Sequence, residues 1–103
     1  MKKITPYSTQ RIDKQDIAAV VKVLNSKFLT QGPMVGKFEK AIAQKVKAKY
    51  SVAFNSATSA LHASCLALGL KKNEIVWTVP NTFVASANCA LLAGGKVDFV
   101  DID

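Results

Sequence analysis

The sequence predicts an α/β fold in which parallel strands alternate with helices, preceded by two amphipathic helices. Short apolar runs at residues 50–54, 75–79 and 96–100 are separated by helix-forming segments, which gives the order β-α-β-α-β. Each connection has the length of a helix, so the strands are expected to be parallel with right-handed crossovers. Short, apolar strands of this kind are typical of sheets that have helices on both faces.

The two leading helices account for most of the first half of the chain. Asp13 is expected to cap the first helix, and Gly32-Pro33 is expected to close the loop that follows this helix. Apolar residues at three- and four-residue spacing define one face of each helix. They are Ile17, Val20, Val21 and Leu24 in the first helix, and Val35, Phe38, Ile42 and Val46 in the second. Both helices are predicted to pack outside the sheet.

Two polar turns follow predicted strands. The turn at 55–59 leads into a helix over Ala60–Leu68 that ends at Gly69, and the turn at 79–83 leads into a helix over Phe83–Leu92 that ends at Gly94-Gly95. In folds of this class the ligand binds beyond the carboxyl ends of the strands. These two turns are therefore the candidate ligand site.

The charge of the chain is uneven. The net charge is +7, and residues 1–50 hold eleven Lys or Arg against three Asp or Glu. All but one of the basic residues are lysines and they form no tight cluster, so solvated helix faces explain most of the charge. Binding of nucleic acid or of a polyanionic small molecule stays open as an alternative.

Cysteine usage and hydropathy exclude several classes of protein. Cys65 and Cys89 are 24 residues apart in apolar helical segments, and His62 is the only histidine, so a zinc site is not expected. The two cysteines are interpreted as buried, reduced thiols in a cytoplasmic protein. The N-terminus does not resemble a signal peptide, and no apolar run is long enough to cross a bilayer.

The turn Asn55-Ser56-Ala57-Thr58-Ser59 could bind a phosphate group. The first N–H groups of a helix have no partner within the helix, and the helix dipole favours an anion there. The alternative is a Ser or Thr N-cap without a ligand. Phe83 is likewise either a core aromatic or a flat platform for a planar ligand.

Other polar residues favour structural roles. His62 has apolar neighbours in its helix, which indicates a packed side chain rather than a catalytic one. Asp98, Asp101 and Asp103 are interpreted as a polar strand end rather than as a metal site.

Four segments in order resemble the DegT/DnrJ/EryC1/StrS family of pyridoxal-phosphate-dependent sugar aminotransferases of fold type I. The first is Leu29-Thr30-Gln31-Gly32-Pro33 with Phe38-Glu39, and the others lie at 54–62, 78–88 and 97–103. Residues 24–32 and 55–58 are similar in particular to the enzymes that aminate a UDP-4-keto-6-deoxy-N-acetylhexosamine in pseudaminic acid biosynthesis. The resemblance implies pyridoxal 5′-phosphate as cofactor, a UDP-sugar substrate, glutamate as amino donor, and a homodimer.

The resemblance also implies roles for individual residues. Ala57 and Thr58 would bind the cofactor phosphate, and Phe83 would stack on the pyridine ring. Tyr7, the loop Lys27-Phe28-Leu29-Thr30 and Ala57 would line the nucleotide-sugar site. The family's Schiff-base lysine matches no lysine of this chain, so no catalytic residue is assigned here.

The expected organisation is therefore a fragment of a larger enzyme, inactive on its own. Residues 1–33 would form an N-terminal helix with a substrate-side loop, and residues 34–103 would begin the large cofactor-binding α/β domain. Binding of a membrane or of nucleic acid is not expected. A non-catalytic module that binds a phosphate ligand or a nucleic acid is the alternative of a different class.

Overall fold

A computed structural model describes residues 8–102, and the chain divides into two units, Met1–Ser51 and Val52–Asp103. The first unit contains α1 (Lys14–Leu24) and α2 (Pro33–Val46). The second unit contains α3 (Ala57–Ala67), β1 (Ile75–Thr78), α4 (Ala85–Leu92) and β2 (Lys96–Phe99). The division expected at residues 33 and 34 stays a prediction.

Helix α1 begins where the sequence predicts, with Asp13 as its cap. The Asp13 carboxylate accepts hydrogen bonds from the backbone N–H groups of Gln15 at 2.8 Å and Asp16 at 3.1 Å. The Asp16 carboxylate in turn accepts the backbone N–H of Asp13 at 2.9 Å. This reciprocal arrangement is a capping box, and it satisfies the donors that the start of a helix leaves unpaired.

Helix α2 has Pro33 in its first turn and ends at Lys47, whose φ of 57° is left-handed. A proline suits this first turn because its missing N–H would have no partner there. Ala43 is the buried residue of the helix. The apolar stripes predicted for α1 and α2 are present, but all eight of their side chains are exposed.

The second unit is a small α/β layer. Strands β1 and β2 pair in parallel, with Ile75 opposite Lys96 and Thr78 opposite Phe99. Helix α4 connects the two strands and packs against both of them and against α3. The buried residues of this unit are small, namely Cys65, Ala85, Ala87, Cys89 and Ala90. The predicted α/β class with parallel strands is confirmed.

The first predicted strand, at residues 50–54, is not formed. Within residues 8–102 the sheet contains β1 and β2 alone, and Tyr50–Phe54 is assigned to no strand. Its apolar side chains are exposed at Tyr50, Val52 and Phe54. Strand propensity describes how well a side chain suits a pleated surface, but the ladder itself requires a neighbouring strand. The segment has the composition of a strand without a place in this sheet.

Cover on both faces of the sheet is also not observed in the described part of the chain. Ile75 and Trp77 on one face of β1 are exposed, whereas Val76 and Thr78 on the other face are half-buried. No helix within residues 8–102 is long and apolar enough to cross a membrane.

Two helix starts differ from the prediction. Helix α3 begins at Ala57 rather than at Ala60, because Ser56 caps it. Helix α4 begins at Ala85 rather than at Phe83, with Val84 as its N-cap. The predicted glycine endings are present, since Gly69 has a φ of 72° and Gly94 a φ of 86° directly after their helices. Thr58 therefore lies in the first turn of α3, whereas Phe83 lies in the turn just before the cap of α4.

Candidate functional site

One neutral side chain, that of Ser56, caps the start of α3. Ser56 is extended, with φ −156° and ψ 156°, and its hydroxyl oxygen accepts the backbone N–H of Ser59 at 3.1 Å. The hydroxyl groups of Ser56 and Ser59 also lie 2.9 Å apart, within hydrogen-bond distance. The carbonyl of Ser56 accepts the N–H of Ala60 at 3.1 Å. The N-cap that the sequence suggests is therefore present.

The N-cap leaves two donors unused. Among the described residues, the backbone N–H groups of Ala57 and Thr58 make no hydrogen bond, because Ser56 takes up only the N–H of Ser59. Both residues are exposed, and the first turn of α3 contains no acidic residue. Two free N–H groups at the positive end of a helix, with no carboxylate of its own, form a site for an anion.

The side chains at this turn suit a close approach by a ligand. Ala57 has only a methyl group, and the Thr58 hydroxyl lies next to the two free N–H groups in sequence. Asn55 accepts a long hydrogen bond from the Ser56 hydroxyl at 3.5 Å. A phosphate at this turn would meet backbone donors and hydroxyl donors without displacing a large side chain.

The second turn, at 79–83, follows the carboxyl end of β1. The backbone N–H of Thr82 donates to the carbonyl of Pro80 at 3.0 Å, which closes the turn. The hydroxyl groups of Thr82 and Ser86 are 2.9 Å apart, so the turn is fastened to the first residues of α4. Ser86 also donates its backbone N–H to the carbonyl of Phe83 at 3.0 Å.

The Phe83 ring is 74% exposed. A core aromatic would lose most of its accessible surface, so the ring does not belong to the core of the second unit. Its backbone is held by Ser86 while its side chain is left accessible. This combination favours the platform interpretation over the core interpretation for a planar ligand.

The predicted substrate loop, Lys27–Thr30, belongs to the first unit and connects α1 with α2. The Ser26 hydroxyl donates to the carbonyl of Phe28 at 3.2 Å, and the Lys27 ammonium nitrogen lies 5.5 Å from the centroid of the Phe28 ring. Gly32 has to be a glycine, because a Cβ atom there would collide with the carbonyl oxygen of Phe28. The loop is a tight turn whose apolar side chains point to its exterior.

The candidate residues fall into three groups. Ala57, Thr58 and Phe83 lie in the second unit, the first two at the start of α3 and Phe83 in the turn before α4, and these two helices pack against each other. The loop 27–30 lies in the first unit. Tyr7 lies outside the described residues.

The residues interpreted as structural that lie within 8–102 show no sign of a reaction centre, and Asp103 lies outside the described residues. His62 is half-buried in α3. Asp98 and Asp101 each accept the backbone N–H of the following residue at 2.9 Å, as expected for a polar strand end. Within residues 8–102 there is no group of three or more His, Cys, Asp or Glu that could bind a metal ion.

Sequence reasoning missed two supporting residues. Ser86 fastens the turn before α4 through its hydroxyl, and Gly32 makes room for the Phe28 carbonyl. The spacing of four residues between Thr82 and Ser86 is a detectable signal, because it places the two hydroxyl groups on one side of a helix start. Gly32 gives the weaker signal, since a glycine before a proline is typical of many loops.

Free N–H groups at a helix start and an exposed aromatic ring before the next helix are features that α/β proteins use to bind phosphate-bearing ligands. The sequence profile of the DegT/DnrJ/EryC1/StrS aminotransferase family matches residues 10–103. The chain belongs to this family.

Individual relatives agree with the family. The chain is 50% identical over 96 residues to the UDP-4-amino-4,6-dideoxy-N-acetyl-beta-L-altrosamine transaminase of Campylobacter jejuni, covering 93% of this chain and 25% of that protein. An aminotransferase from Psychrobacter cryohalolentis has a TM-score of 0.84 and 29% identity, covering 95% of this chain and 26% of that one. NtdA from Bacillus subtilis with bound cofactor PMP has a TM-score of 0.75 and 33% identity, covering 84% and 20%. The chain spans about a quarter of the length of the curated relatives it matches.

Proposed function

We propose that this chain is part of a pyridoxal-phosphate-dependent aminotransferase that transfers an amino group from glutamate to a UDP-linked 4-keto-6-deoxy sugar. The family of the chain and the name of its Campylobacter jejuni relative support the reaction class and the nucleotide-sugar substrate. The NtdA structure, which contains PMP, supports the cofactor. Within such an enzyme, the described residues supply the phosphate site and one aromatic surface.

The observation that carries the proposal is the pair of free N–H groups at the start of α3. Ala57 and Thr58 each offer a backbone donor, and the Thr58 hydroxyl offers a third. Hydrogen bonds from neutral donors to a charged group contribute about 1.5–3 kcal/mol each. Three such donors at a helix start bind and orient the cofactor phosphate without using any charged side chain.

Phe83 supplies the second contact. When bound, pyridoxal phosphate provides an electron sink for the bond changes of transamination. A ring that is exposed and held at its backbone can stack on the pyridine face and fix its orientation. It can also exclude water from that face.

The substrate contacts belong to the first unit. For the complete enzyme, contact with the nucleotide sugar is proposed for the loop Lys27–Thr30, and the same role is proposed for Tyr7 and for Ala57. The Lys27 ammonium provides a positive charge for the diphosphate, and exposed Phe28 and Leu29 provide apolar contacts for the base or the sugar. Gly32 keeps this loop in its tight form.

The lysine nucleophile is assigned to polypeptide outside these 103 residues. The chain spans about a quarter of its curated relatives, and none of its lysines lies in one of the two ligand turns of the second unit. The 103-residue chain alone is therefore expected to give no turnover of a keto-sugar with glutamate. Turnover by the isolated chain would contradict the assignment of the lysine to other polypeptide.

A homodimer is proposed for the complete enzyme.

The cofactor part of the proposal is tested by ligand binding. Calorimetry on the purified protein compares pyridoxamine phosphate with pyridoxamine, which lacks the phosphate. We expect the phosphate to tighten binding at least about tenfold, since each lost charged hydrogen bond contributes more than 1.4 kcal/mol. Equal affinity for the two compounds would contradict the phosphate site.

The Phe83→Leu variant tests the aromatic contact, with Phe83→Tyr as the control that keeps a ring. We expect Phe83→Leu to weaken binding of pyridoxamine phosphate about three- to tenfold, as for the loss of one aromatic stacking contact. The ring is exposed, so both variants should keep the melting temperature of the parent protein. Parent affinity in the leucine variant would remove Phe83 from the site.

A titration with duplex DNA distinguishes the proposed enzyme from the alternative function, a nucleic-acid-binding module. A basic nucleic-acid-binding module would bind short duplex DNA with a steep dependence on salt concentration. The proposed enzyme is expected to prefer pyridoxamine phosphate and to bind the DNA weakly. Tight, salt-dependent DNA binding without binding of pyridoxamine phosphate would favour the alternative.

A further inference from the structure

The two cysteines of the chain meet between the helices of the second unit. Cys65 lies in α3 and Cys89 in α4, and these helices pack against each other. Both side chains are buried, with exposed fractions of 8% for Cys65 and 5% for Cys89. The two side chains lie close enough to interact with each other. Residues that are 24 positions apart in the sequence thus form a contact pair.

Their surroundings hold the pair in one arrangement. The Cys89 thiol donates to the carbonyl of Ser86 at 3.2 Å, within its own helix. The neighbours of Cys89 in the core are Ala85, Ala87 and Ala90, whose small side chains let α4 approach α3 closely. Burial raises the pKa of the Cys65 thiol, and its interaction with Cys89 raises this pKa further.

We propose that Cys65 and Cys89 are a modification site: an oxidisable dithiol that cross-links α3 to α4 by exchange with a small disulfide such as oxidised glutathione. Two thiols in contact on different helices need no large movement to form a bond. Since both are buried, the reaction requires transient opening of the helix pair. The site is therefore protected from alkylation in the closed state and reactive through the open state.

The exchange balances in two steps. The thiolate of one cysteine attacks a sulfur of oxidised glutathione, an S–S bond breaks, and one glutathione thiolate leaves. The second cysteine, as thiolate, attacks the protein sulfur of this mixed disulfide, and the second glutathione thiolate leaves. The protein loses two electrons and two protons, and oxidised glutathione is reduced to two molecules of glutathione.

The cross-link would join the two helices whose N-terminal ends adjoin the proposed ligand turns. Helix α3 begins with Ala57 and Thr58, and α4 begins just after Phe83, so a bond between the two helices fixes the bodies that carry both turns. This consequence rests on the proposed function, whereas formation of the bond does not. A bond closing a loop of this length stabilises the folded state chiefly by restricting the unfolded chain.

The experiment treats the purified protein with oxidised glutathione under native conditions. The protein is then unfolded in guanidinium chloride with iodoacetamide and digested, and its peptides are weighed. We expect one peptide pair joined through Cys65 and Cys89, lacking two hydrogen atoms and carrying no glutathione. Persistent alkylation of both cysteines, a stable glutathione adduct, or cross-links between molecules would overturn the proposal.

Two further measurements use matched variants. The Cys65→Ala and Cys89→Ala proteins should each stop at a glutathione adduct or remain reduced, whereas the parent proceeds to the bond. The oxidised parent should melt at least about 5 °C above its reduced form, and dithiothreitol should reverse this shift. If a variant fails to fold, the peptide map of the parent decides alone. If a fully cross-linked parent melts at the same temperature as the reduced form, the proposed stabilisation is overturned. If the reduced parent protein does not bind pyridoxamine phosphate, that result counts against the proposed function and leaves the dithiol proposal unaffected.

Discussion

Helices α1 and α3 both begin with a side-chain cap, but the two caps differ in how many free backbone N–H groups they bond. At α1, two carboxylates occupy the first turn, where Asp13 accepts two backbone N–H groups and Asp16 returns a bond to Asp13. At α3, a single hydroxyl, that of Ser56, accepts one N–H, and no acidic residue follows. The first start neutralises its own positive potential, and the second leaves it for another group.

A cap can either occupy most of the free donors of a helix start or leave some of them accessible. In a capping box, side chains of the protein accept hydrogen bonds from the free N–H groups. At α1 their carboxylates also add negative charge at the positive end of the helix. A lone serine cap fixes the helix start while two donors, at Ala57 and Thr58, stay accessible. At α1 the N–H groups of Gln15 and Asp16 are already bonded, and an anion would be repelled by two carboxylates.

The largest expected effect comes from giving α3 the capping chemistry of α1. Ser59→Asp places a carboxylate three residues after Ser56, as Asp16 stands three residues after Asp13. Because like charges at a few ångströms repel by several kcal/mol, binding of pyridoxamine phosphate should fall more than about a hundredfold. Calorimetry measures the affinity, and circular dichroism checks that the helix is kept.

Ser59→Asn is the matched control, since it has the same shape without the charge. It should retain binding within about threefold of the parent, because no charge repulsion is introduced. Equal weakening by Asp and Asn would show that Ser59 acts through its shape or its own hydroxyl rather than through charge.

A smaller effect is expected from removing a single donor at α3. Ala57→Pro deletes one N–H at the first helical position, where proline is well tolerated, and the extended Ser56 suits the residue before a proline. Binding of pyridoxamine phosphate should weaken about ten- to a hundredfold, the contribution of one charged hydrogen bond. Calorimetry on Ala57→Ser, which keeps the N–H, provides the control. A proline variant that binds like the parent would exclude this N–H from the site.

The smallest effect is expected at α1 and concerns stability alone. Asp13→Ala removes the cap and should lower the free energy of unfolding by about 1 kcal/mol, measured by urea denaturation. Asp13→Asn keeps an acceptor and should lose less. Neither change should alter binding of pyridoxamine phosphate, and a loss of binding in both variants would contradict the separation of roles between α1 and α3.

Sequence predicted the elements whose cause is local. The Asp13 cap, the glycine endings at Gly69 and Gly94, and the parallel arrangement of β1 and β2 depend on patterns within a few residues or on the length of one connection. The strand expected at residues 50–54 failed because a strand also needs a neighbour, which propensity does not report.

The candidate site was predictable in part for the same reason. Thr58 and its free N–H follow from a polar turn before a helix, so the sequence indicates them. The exposure of Phe83 depends on tertiary packing, and residue type alone favours the core for it. The contact of Cys65 with Cys89 required the packing of α3 on α4, which no spacing along the chain reveals.

The exposed face of β1 has an optical consequence. Trp77 is the single tryptophan of the chain, it is 67% exposed, and it lies two residues before Val79, where the second ligand turn begins. Its indole is the main fluorophore of these residues, and its emission responds to water at the surface of the sheet. The chain thus contains a reporter of its own: emission shifts toward the blue when another surface covers β1, and no dye has to be attached to observe it.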